Sequence, residues 1–146
     1  MPPEPAGAAA HFRALESLYR AAAINALFES EIEIAEPGVA RIRFEVGPQT
    51  DHAAGAAHGT LYFKMMDDAA FYACNSMVSD RFLLTTAFNL VFTRPLKPGP
   101  MVVEGRWISG KRRVFRDRQT VAKLRGARSK DALFALLAGV DARDAA

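Results

Sequence analysis

The chain has 146 residues, of which 50% are hydrophobic and 24% are charged, and its net charge is +3 at neutral pH. This length and composition predict one globular domain with a sizeable buried core. No apolar run approaches the roughly 18 residues that a membrane span requires. Cys74 is the only cysteine, which excludes an intrachain disulfide and favours a reducing compartment. Because the first residues also lack the pattern of a signal peptide, we expect a cytoplasmic protein.

The positive charge is concentrated in one part of the chain. Residues 94–130 carry 12 Lys and Arg against two acids, whereas the remainder carries seven bases and 14 acids. A basic block attracts nucleic acid, a membrane surface or a phosphorylated ligand, although two strands with solvated outer faces give the same pattern. No zinc-finger, helix-turn-helix or aromatic RNA-binding motif accompanies the block. We therefore expect neither nucleic acid nor a membrane as a partner.

The N-terminal segment predicts a tail followed by a helix. Residues 1–8 are rich in Pro, Ala and Gly and are expected to be disordered, so that a single domain spans residues 9–146. Apolar side chains then recur at helical spacing and predict a helix over residues 9–28.

A strand region and a loop come next. Residues 31–46 alternate between apolar and polar side chains around Pro37-Gly38, which predicts a strand or a bent hairpin. Residues 48–57 are rich in Ala and contain His52 and Gly55, which indicates a loop leading into the next element.

The segment from His58 to Met77 predicts an apolar helix that carries acidic residues. An element that is apolar on most sides is usually enclosed by the rest of the protein. A carboxylate buried there costs several kcal/mol unless it is paired, and buried acids are where pKa values move. Asp67 is therefore a candidate for chemistry, whereas Asp68 is expected to face solvent or to pair with Lys64 one turn earlier. The apolar positions that suggest burial are 61, 65, 66, 69, 70, 73, 74 and 77.

Four strand-like runs follow this helix, over residues 82–92, 101–109, 114–124 and 133–140. The composition of the last run is also compatible with a helix. Consecutive strands favour an antiparallel meander, and one very apolar helix needs a sheet to enclose it. We therefore predict an α+β fold in which a curved antiparallel sheet wraps one long central helix, with an extra N-terminal helix.

The central helix carries a motif that resembles a known family. His58-Gly59 is followed, after seven residues, by Asp67, then by Ala69 and by Tyr-Ala-Cys-Asn-Ser at 72–76. This pattern is similar to that of the hotdog-fold acyl-CoA thioesterases of the PaaI-like, phenylacetic-acid-degradation type. The run from Phe88 to Pro95 also resembles the strand after the helix in that family. The resemblance covers about residues 30–125 and implies the hotdog fold and a homodimer. A homotetramer made of two stacked dimers is the alternative assembly that the sequence leaves open.

The resemblance also implies roles for individual residues in acyl-CoA hydrolysis. Asp67 would act as nucleophile or general base, and the backbone N–H of Gly59 would polarise the thioester carbonyl. His58 and His52 match positions of polar groups near the thioester. Thr85 matches a residue that orients the acid or its water.

Thr60 departs from the family pattern, because a second glycine is usual at this position. Its N–H is retained, and its side chain adds bulk beside the substrate carbonyl.

Physical arguments support the same assignment. A helix N-terminus presents unsatisfied N–H groups and a partial positive charge, which suit an oxyanion. A carboxylate on apolar walls is a poorly solvated base with a raised pKa. Eight residues of helix rise about 12 Å, too far for Gly59 and Asp67 of one chain to act on one carbonyl. If both act on it, they come from different subunits, which predicts an obligate dimer with sites across the interface.

The basic block is a candidate binding site for coenzyme A, which is part of the substrate. Arg and Lys would bind the phosphates of coenzyme A by charge-assisted contacts. Candidates for these contacts are Arg94, Lys111, Arg112, Arg113 and Arg116. No separate cofactor is expected, and three histidines without paired ligand spacing predict no metal site. The acyl group is expected among the apolar side chains of Phe63, Met66, Phe71 and Phe88.

Other interpretations stay open at this point. Asp67 and Gly59 also suit purely structural roles, and Cys74 with a histidine would form a nucleophilic pair if it were not packed in the core. The same fold also serves for a non-catalytic acyl-CoA binder or sensor and for a hydratase acting on enoyl thioesters. Retained binding without turnover would identify the binder, and turnover without thiol release would identify the hydratase.

Overall fold

The first helix lies earlier in the chain than the helix predicted over residues 9–28, because it already includes Pro5 and ends at Ala21. The computed structural model describes residues 5–90, 92, 95–111, 114–123 and 133–141, with side-chain environments for residues 7–90, 92 and 95–108. Helix α1 (Pro5–Ala21) is followed by a 3-10 helix (Ala23–Leu27). The expected disorder of residues 1–8 is wrong for residues 5–8, because alanine strongly favours helix and Ala8 is packed at 7% exposure.

The two strands that follow form the hairpin that was one of the predicted alternatives. Strand β1 (Ser30–Glu36) pairs antiparallel with β2 (Val39–Val46). Gly38, at the turn, has a φ of +81°, a conformation that favours glycine. Alternate side chains, including Ile32 and Ile34 of β1, are buried, as the sequence pattern predicts.

The central helix and the remaining strands complete a six-stranded sheet. A 3-10 turn (Pro48–Thr50) leads to helix α2 (Gly59–Asn75), and four strands follow. The strand order is β1-β2-β4-β5-β6-β3, and all described pairings are antiparallel. The last segment is therefore a strand. The four strands are β3 (Leu84–Asn89), β4 (Gly99–Lys111), β5 (Val114–Lys123) and β6 (Leu133–Asp141).

The predicted meander holds for β4, β5 and β6 but is wrong for β3. This strand pairs with β6, where Thr85 lies opposite Val140, and so it occupies the edge of the sheet away from β1. The connection from β3 to β4 contains Pro95 and Pro98, and proline disfavours a tight hairpin in which both strands keep pairing. The edge of β4 that β3 would have used is paired with β2.

Helix α2 lies across the sheet and supplies much of the core, as its apolar composition predicts. Met65, Ala69 and Ala73 of the helix are fully buried and pack in one cluster with Ile42 of β2 and Val103 of β4. Burial of each of the three larger side chains, Met65, Ile42 and Val103, stabilises the fold by roughly 1.5–3 kcal/mol. No helix in the described part of the chain is long and apolar enough to cross a membrane.

The C-terminal end of α2 fixes the start of β3. The buried Asn75 side chain accepts a hydrogen bond from the Leu83 N–H (2.9 Å) and donates to the Phe71 carbonyl (2.9 Å). Its amide therefore joins the last turn of the helix to the chain that enters β3. This connection sets where Thr85, two residues after Leu83, lies relative to the helix.

Gly105 of β4 is expected to be intolerant of any side chain. A Cβ built there would lie 2.3 Å from the carbonyl carbon and oxygen of Ala69, so the backbone of α2 would have to move. Overpacking of this kind typically lowers the free energy of unfolding by about 1–3 kcal/mol. Because the added Cβ would meet backbone atoms, we expect Gly105→Ala to lower it by about 3 kcal/mol or more. Urea denaturation measures the loss. The control is Gly7→Ala in α1, where no atom of the described residues lies within 4 Å of an added Cβ, and this change should raise stability slightly. Equal midpoints for both variants would contradict the close approach.

Candidate functional site

The N-terminus of α2 is capped by a histidine side chain. His58 has extended backbone angles, and its Nδ1 accepts a hydrogen bond from the Thr60 N–H at 3.0 Å. The Thr60 hydroxyl also lies 2.7 Å from Nδ1. Since Nδ1 acts as the acceptor for the backbone N–H, the neutral ring carries its proton on Nε2. His58 and Thr60, two of the predicted site residues, are therefore brought together, and the cap turns the threonine side chain toward the histidine.

The cap makes His58 a stability determinant that can be measured. Removal of a side-chain cap costs about 0.5–2 kcal/mol, and asparagine is among the best capping residues. We expect His58→Ala to lower the free energy of unfolding by about 1 kcal/mol. His58→Asn should keep most of it. A denaturant titration distinguishes the two, and equal losses for both would contradict the capping role.

Gly59, the first residue of α2, leaves its N–H without an acceptor among the described residues. The first N–H groups of a helix have no partner within the helix, and the Leu61 N–H bonds the His58 carbonyl. The Gly59 N–H therefore stays available at the positive end of the helix dipole. An aromatic ring lies close by, because a Cβ on Gly59 would be 3.1 Å from the Cζ atom of Phe92.

Two cavities flank this helix start. The first has a volume of about 420 Å³ and adjoins Gly59, His52, Tyr62 and Phe92. The second, of about 450 Å³, lies on the side of His58 and Thr60, and its wall combines Gln49, Thr50 and Asp51 with the apolar Leu27, Phe28 and Leu61. Both volumes are in the range of about 300–1,000 Å³ that is typical of small-molecule sites.

Asp67 lies two turns further along α2 with one carboxylate oxygen unsatisfied. Its Oδ1 is buried, as is the Thr85 hydroxyl, and neither atom has a hydrogen-bond partner in the described part of the chain. Burial raises the pKa of Asp67 above its ordinary value of 3.8, and the Thr85 hydroxyl is the neighbour that most opposes this rise. Asp68 raises this pKa further, and Lys64 lowers it. The hydroxyl is thus near the carboxylate without completing a hydrogen bond.

Asp68 pairs with Lys64, which was one of the two predicted alternatives, rather than facing solvent. Lys64 is 7% exposed, and its Nζ donates to Asp68 Oδ2 at 2.5 Å and to the side-chain oxygen of Asn25. The same ammonium lies 5.0 Å from the Tyr19 ring centroid and 5.4 Å from that of Phe28. Burial is the main cause that raises the pKa of Asp68, and the hydrogen bond from Lys64 opposes it. Of the two acids, only Asp67 has a buried oxygen without a hydrogen-bond partner among the described residues.

The comparisons with known proteins decide the family. The model of the thioesterase superfamily matches residues 54–128, which include the whole of α2. The chain belongs to the thioesterase superfamily. This membership confirms the resemblance to PaaI-like, hotdog-fold thioesterases that the sequence motif indicated.

Solved structures support the fold of this superfamily member. A thioesterase family protein from Silicibacter pomeroyi matches 88% of this chain and 94% of its own, with a TM-score of 0.76 and 16% identity. The E. coli PaaI protein, from the phenylacetic acid degradation operon, matches 93% of this chain and 92% of its own, with a TM-score of 0.76 and 20% identity. At these identities the likeness concerns the fold, which is the predicted hotdog architecture.

A curated relative is more similar in sequence over a shorter length. The protein SSO1253 of Saccharolobus solfataricus, whose name assigns it provisionally to the esterases, is 34% identical over 88 residues. The match covers 60% of this thioesterase-superfamily chain and 59% of the relative. Because the match covers only part of both proteins, the activity and substrate of this chain have to be inferred from its own site.

The aromatic residues predicted for the acyl site of this thioesterase-superfamily member lie on both sides of Asp67. Phe63 and Phe71, one turn before and after Asp67, share its face of α2. Phe63 is 45% exposed and packs edge-on against Phe88, with centroids 4.8 Å apart. Met66 differs, because its position turns it toward the sheet, where it is 1% exposed and packs in the core. It therefore offers no accessible surface to a substrate.

The remaining predicted residues divide between the helix start and parts of the chain that are not described. His52 is exposed and adjoins the cavity at Gly59, and its Nδ1 accepts a hydrogen bond from the Ala54 N–H at 3.0 Å. Arg94, Arg112 and Arg113 lie outside the described residues. No group of three or more potential metal ligands occurs among the residues that are described.

Sequence reasoning missed two aromatic residues at the Gly59 cavity and the burial of Lys64. Tyr62 and Phe92 lie in runs that predict only a helix and a strand. Tyr62 is near Gly59 because both belong to α2, whereas Phe92 comes from the part of the chain after β3. Lys64 carried one usable signal, an acid four residues later. The same spacing is typical of exposed pairs and therefore does not indicate burial.

Proposed function

We propose that this protein hydrolyses acyl-CoA thioesters to a free acid and coenzyme A, with Asp67 as nucleophile or general base. The observation that carries the proposal is the buried Oδ1 of Asp67, which has no hydrogen-bond partner among the described residues, in a carboxyl group whose pKa is raised by desolvation. Leaving a buried acceptor unsatisfied costs about 1–3 kcal/mol, which is typical of positions kept for chemistry rather than for stability. Membership of the thioesterase superfamily supplies the reaction class.

The chemistry follows from the charges at the two ends of the site. As a general base, the Asp67 carboxylate takes a proton from water while the water oxygen attacks the thioester carbonyl. The carbonyl oxygen then becomes an oxyanion, which the Gly59 N–H and the helix dipole stabilise. Collapse breaks the carbon–sulfur bond, and the coenzyme A thiolate leaves and takes up the proton. As a nucleophile, the carboxylate would instead attack the carbonyl and expel the coenzyme A thiolate, and water would then hydrolyse the resulting mixed anhydride to the free acid and the Asp67 carboxylate.

The proposed active unit is a dimer with sites across the interface. Helix α2 is unbroken from Gly59 to Asn75, so the backbone positions of Gly59 and Asp67 are about 12 Å apart along its axis. The aromatic face of α2 around Asp67 is its more open side, and β3 is an edge strand on which Leu84 is exposed. Asp67 of one protomer would then act on a carbonyl held at Gly59 of its partner.

The other predicted residues take supporting roles in this proposal. The Thr85 hydroxyl would orient the Asp67 carboxylate or its water, while His52, His58 and Thr60 would contact the thioester beside Gly59. Arg94, Arg112 and Arg113 would bind coenzyme A phosphates by charge-assisted contacts. The reaction needs no further cofactor.

Release of free thiol from a panel of short, medium, long and aryl acyl-CoAs tests the proposal. We expect thiol release from at least one substrate class, with one equivalent of free acid formed per thiol. Acid and thiol in unequal amounts, or turnover of an enoyl thioester without thiol, would contradict hydrolysis. Thermal stabilisation by an acyl-CoA without turnover of any of them would identify an acyl-CoA binder instead.

A further inference from the structure

The cavity beside Gly59 has an apolar wall with few groups for a polar ligand. Pro95 has no N–H, and the buried Tyr62 hydroxyl already accepts a hydrogen bond from the Leu96 N–H at 2.5 Å. The pantetheine arm of coenzyme A carries amides that would be left unpaired against such a wall. An apolar acyl group would not suffer this penalty. His52 and Gly59 also line the cavity, and the apolar part of its wall is formed by Ala56, Ala57, Tyr62, Phe92 and Pro95.

Phe92 is the element of this wall that is closest to the reacting position. Its ring lies near the α-carbon of Gly59, as the 3.1 Å separation from an added Cβ shows. It packs edge-on against Tyr62, with ring centroids 5.3 Å apart and an interplanar angle of 85°. Phe92 is nevertheless 59% exposed, so most of its apolar surface is free to be covered by a ligand.

We infer that this cavity holds the acyl group of the substrate and that Phe92 determines which acyl groups fit. The inference rests on the proposed thioester hydrolysis and names its substrate-specificity residue. An acyl carbonyl polarised by the Gly59 N–H would point its chain or aryl ring past Phe92 toward Ala57 and Tyr62. This location differs from the one expected from the sequence, which assigned the acyl group to Phe63, Met66, Phe71 and Phe88.

Two substitutions of Phe92 should change acyl preference in opposite directions. Phe92→Ala removes the ring and should raise the ratio of kcat/KM for long over short acyl-CoAs by about tenfold or more, since one methylene in an apolar pocket is worth about 10–200-fold. Phe92→Trp fills the cavity and should lower that ratio. The control is Phe82→Ala, which removes another partly exposed ring, packed edge-on against Phe71 and outside the cavity.

Binding of S-alkyl-CoA thioethers gives a readout that does not depend on turnover. Calorimetric Kd values for short, medium and long thioethers should show the same reversal of preference between Phe92→Ala and Phe92→Trp. A uniform change in Kd across the series, together with weaker binding of free coenzyme A, would place the pantetheine arm there and overturn the inference. Unchanged chain-length preference in both variants would also overturn it. Wild-type protein that binds thioethers but hydrolyses no thioester would refute the proposed function alone.

Discussion

Replacing Asp67 with asparagine is expected to lower kcat by about 10²–10⁴-fold, the usual contribution of a general base. The change keeps the shape of the side chain but removes its ability to accept a proton or attack a carbonyl. Affinity for an S-alkyl-CoA thioether should change little, because the loss concerns the transition state. Steady-state thiol release and calorimetric binding measure the two quantities separately.

Asp68→Asn is the matched control, because it removes a neighbouring acid from the same helix. The asparagine oxygen can still accept the hydrogen bond from Lys64, so turnover should be retained. Its effect should appear in the pH profile. Removal of the Asp68 charge lowers the pKa of Asp67, and the acid limb of kcat/KM should therefore move to lower pH. Comparable losses of kcat in the two variants would undo the assignment of Asp67 as the acid.

The stability of Asp67→Asn distinguishes a catalytic carboxylate from a structural one. Burial holds the pKa of Asp67 above 3.8, so the folded protein binds this proton more tightly than the unfolded chain does. The ionised group therefore destabilises the fold increasingly as the pH rises through its folded pKa. We expect the asparagine variant to be at least as stable as wild type at neutral pH. The difference in free energy of unfolding between this variant and wild type should become smaller as the pH falls toward 3.8. A carboxylate kept for structure would give a less stable variant.

The parts of the fold that the sequence predicts are those encoded by local patterns. The alternation in β1 and β2 and the broad apolar surface of α2 are properties of consecutive residues, and burial follows from them directly. The position of β3 is different. Its place next to β6 depends on which sheet edge is free after β2 has paired with β4, and no local pattern carries that information.

The same distinction applies to the site. Asp67 stands out in the sequence because an acid interrupts an apolar helix, and in the structure one of its oxygens is buried with no partner in the described part of the chain. The side chain of Met66, its neighbour, cannot be oriented from composition alone, since the helix is apolar on several faces. Phe92 is separated from Gly59 by 33 positions. Their contact therefore arises from the path of the chain after β3, which local spacing does not specify.

Gly59→Pro is expected to lower kcat by about 10²–10³-fold, the usual effect of removing one oxyanion donor. Proline has no N–H, yet it is favoured at the first position of a helix. His58, the preceding residue, has φ −67° and ψ 143°, angles that a following proline permits. The substitution should therefore remove the donor while α2 keeps its start. Circular dichroism checks the fold, and thiol release checks the activity.

Gly59→Ala separates the loss of the N–H from added bulk. It places a Cβ 3.1 Å from the exposed ring of Phe92, which can shift by the few tenths of an ångström required. Because the N–H is retained, this variant should keep most of its turnover. If alanine were as damaging as proline, the effect would come from crowding, and the role of the Gly59 N–H as oxyanion donor would be contradicted.

Co-expression of Asp67→Asn and Gly59→Pro chains tests whether one site uses both subunits. In a heterodimer with sites across the interface, one site has both defects and the other combines an intact Asp67 with an intact Gly59. Heterodimers isolated with two affinity tags should therefore regain about half of wild-type turnover, although each parent homodimer is nearly inactive. If each site were built within one chain, every site in the heterodimer would carry one defect. Activity would then stay at the level of the parents, and the cross-interface site would be refuted even if both residues proved essential.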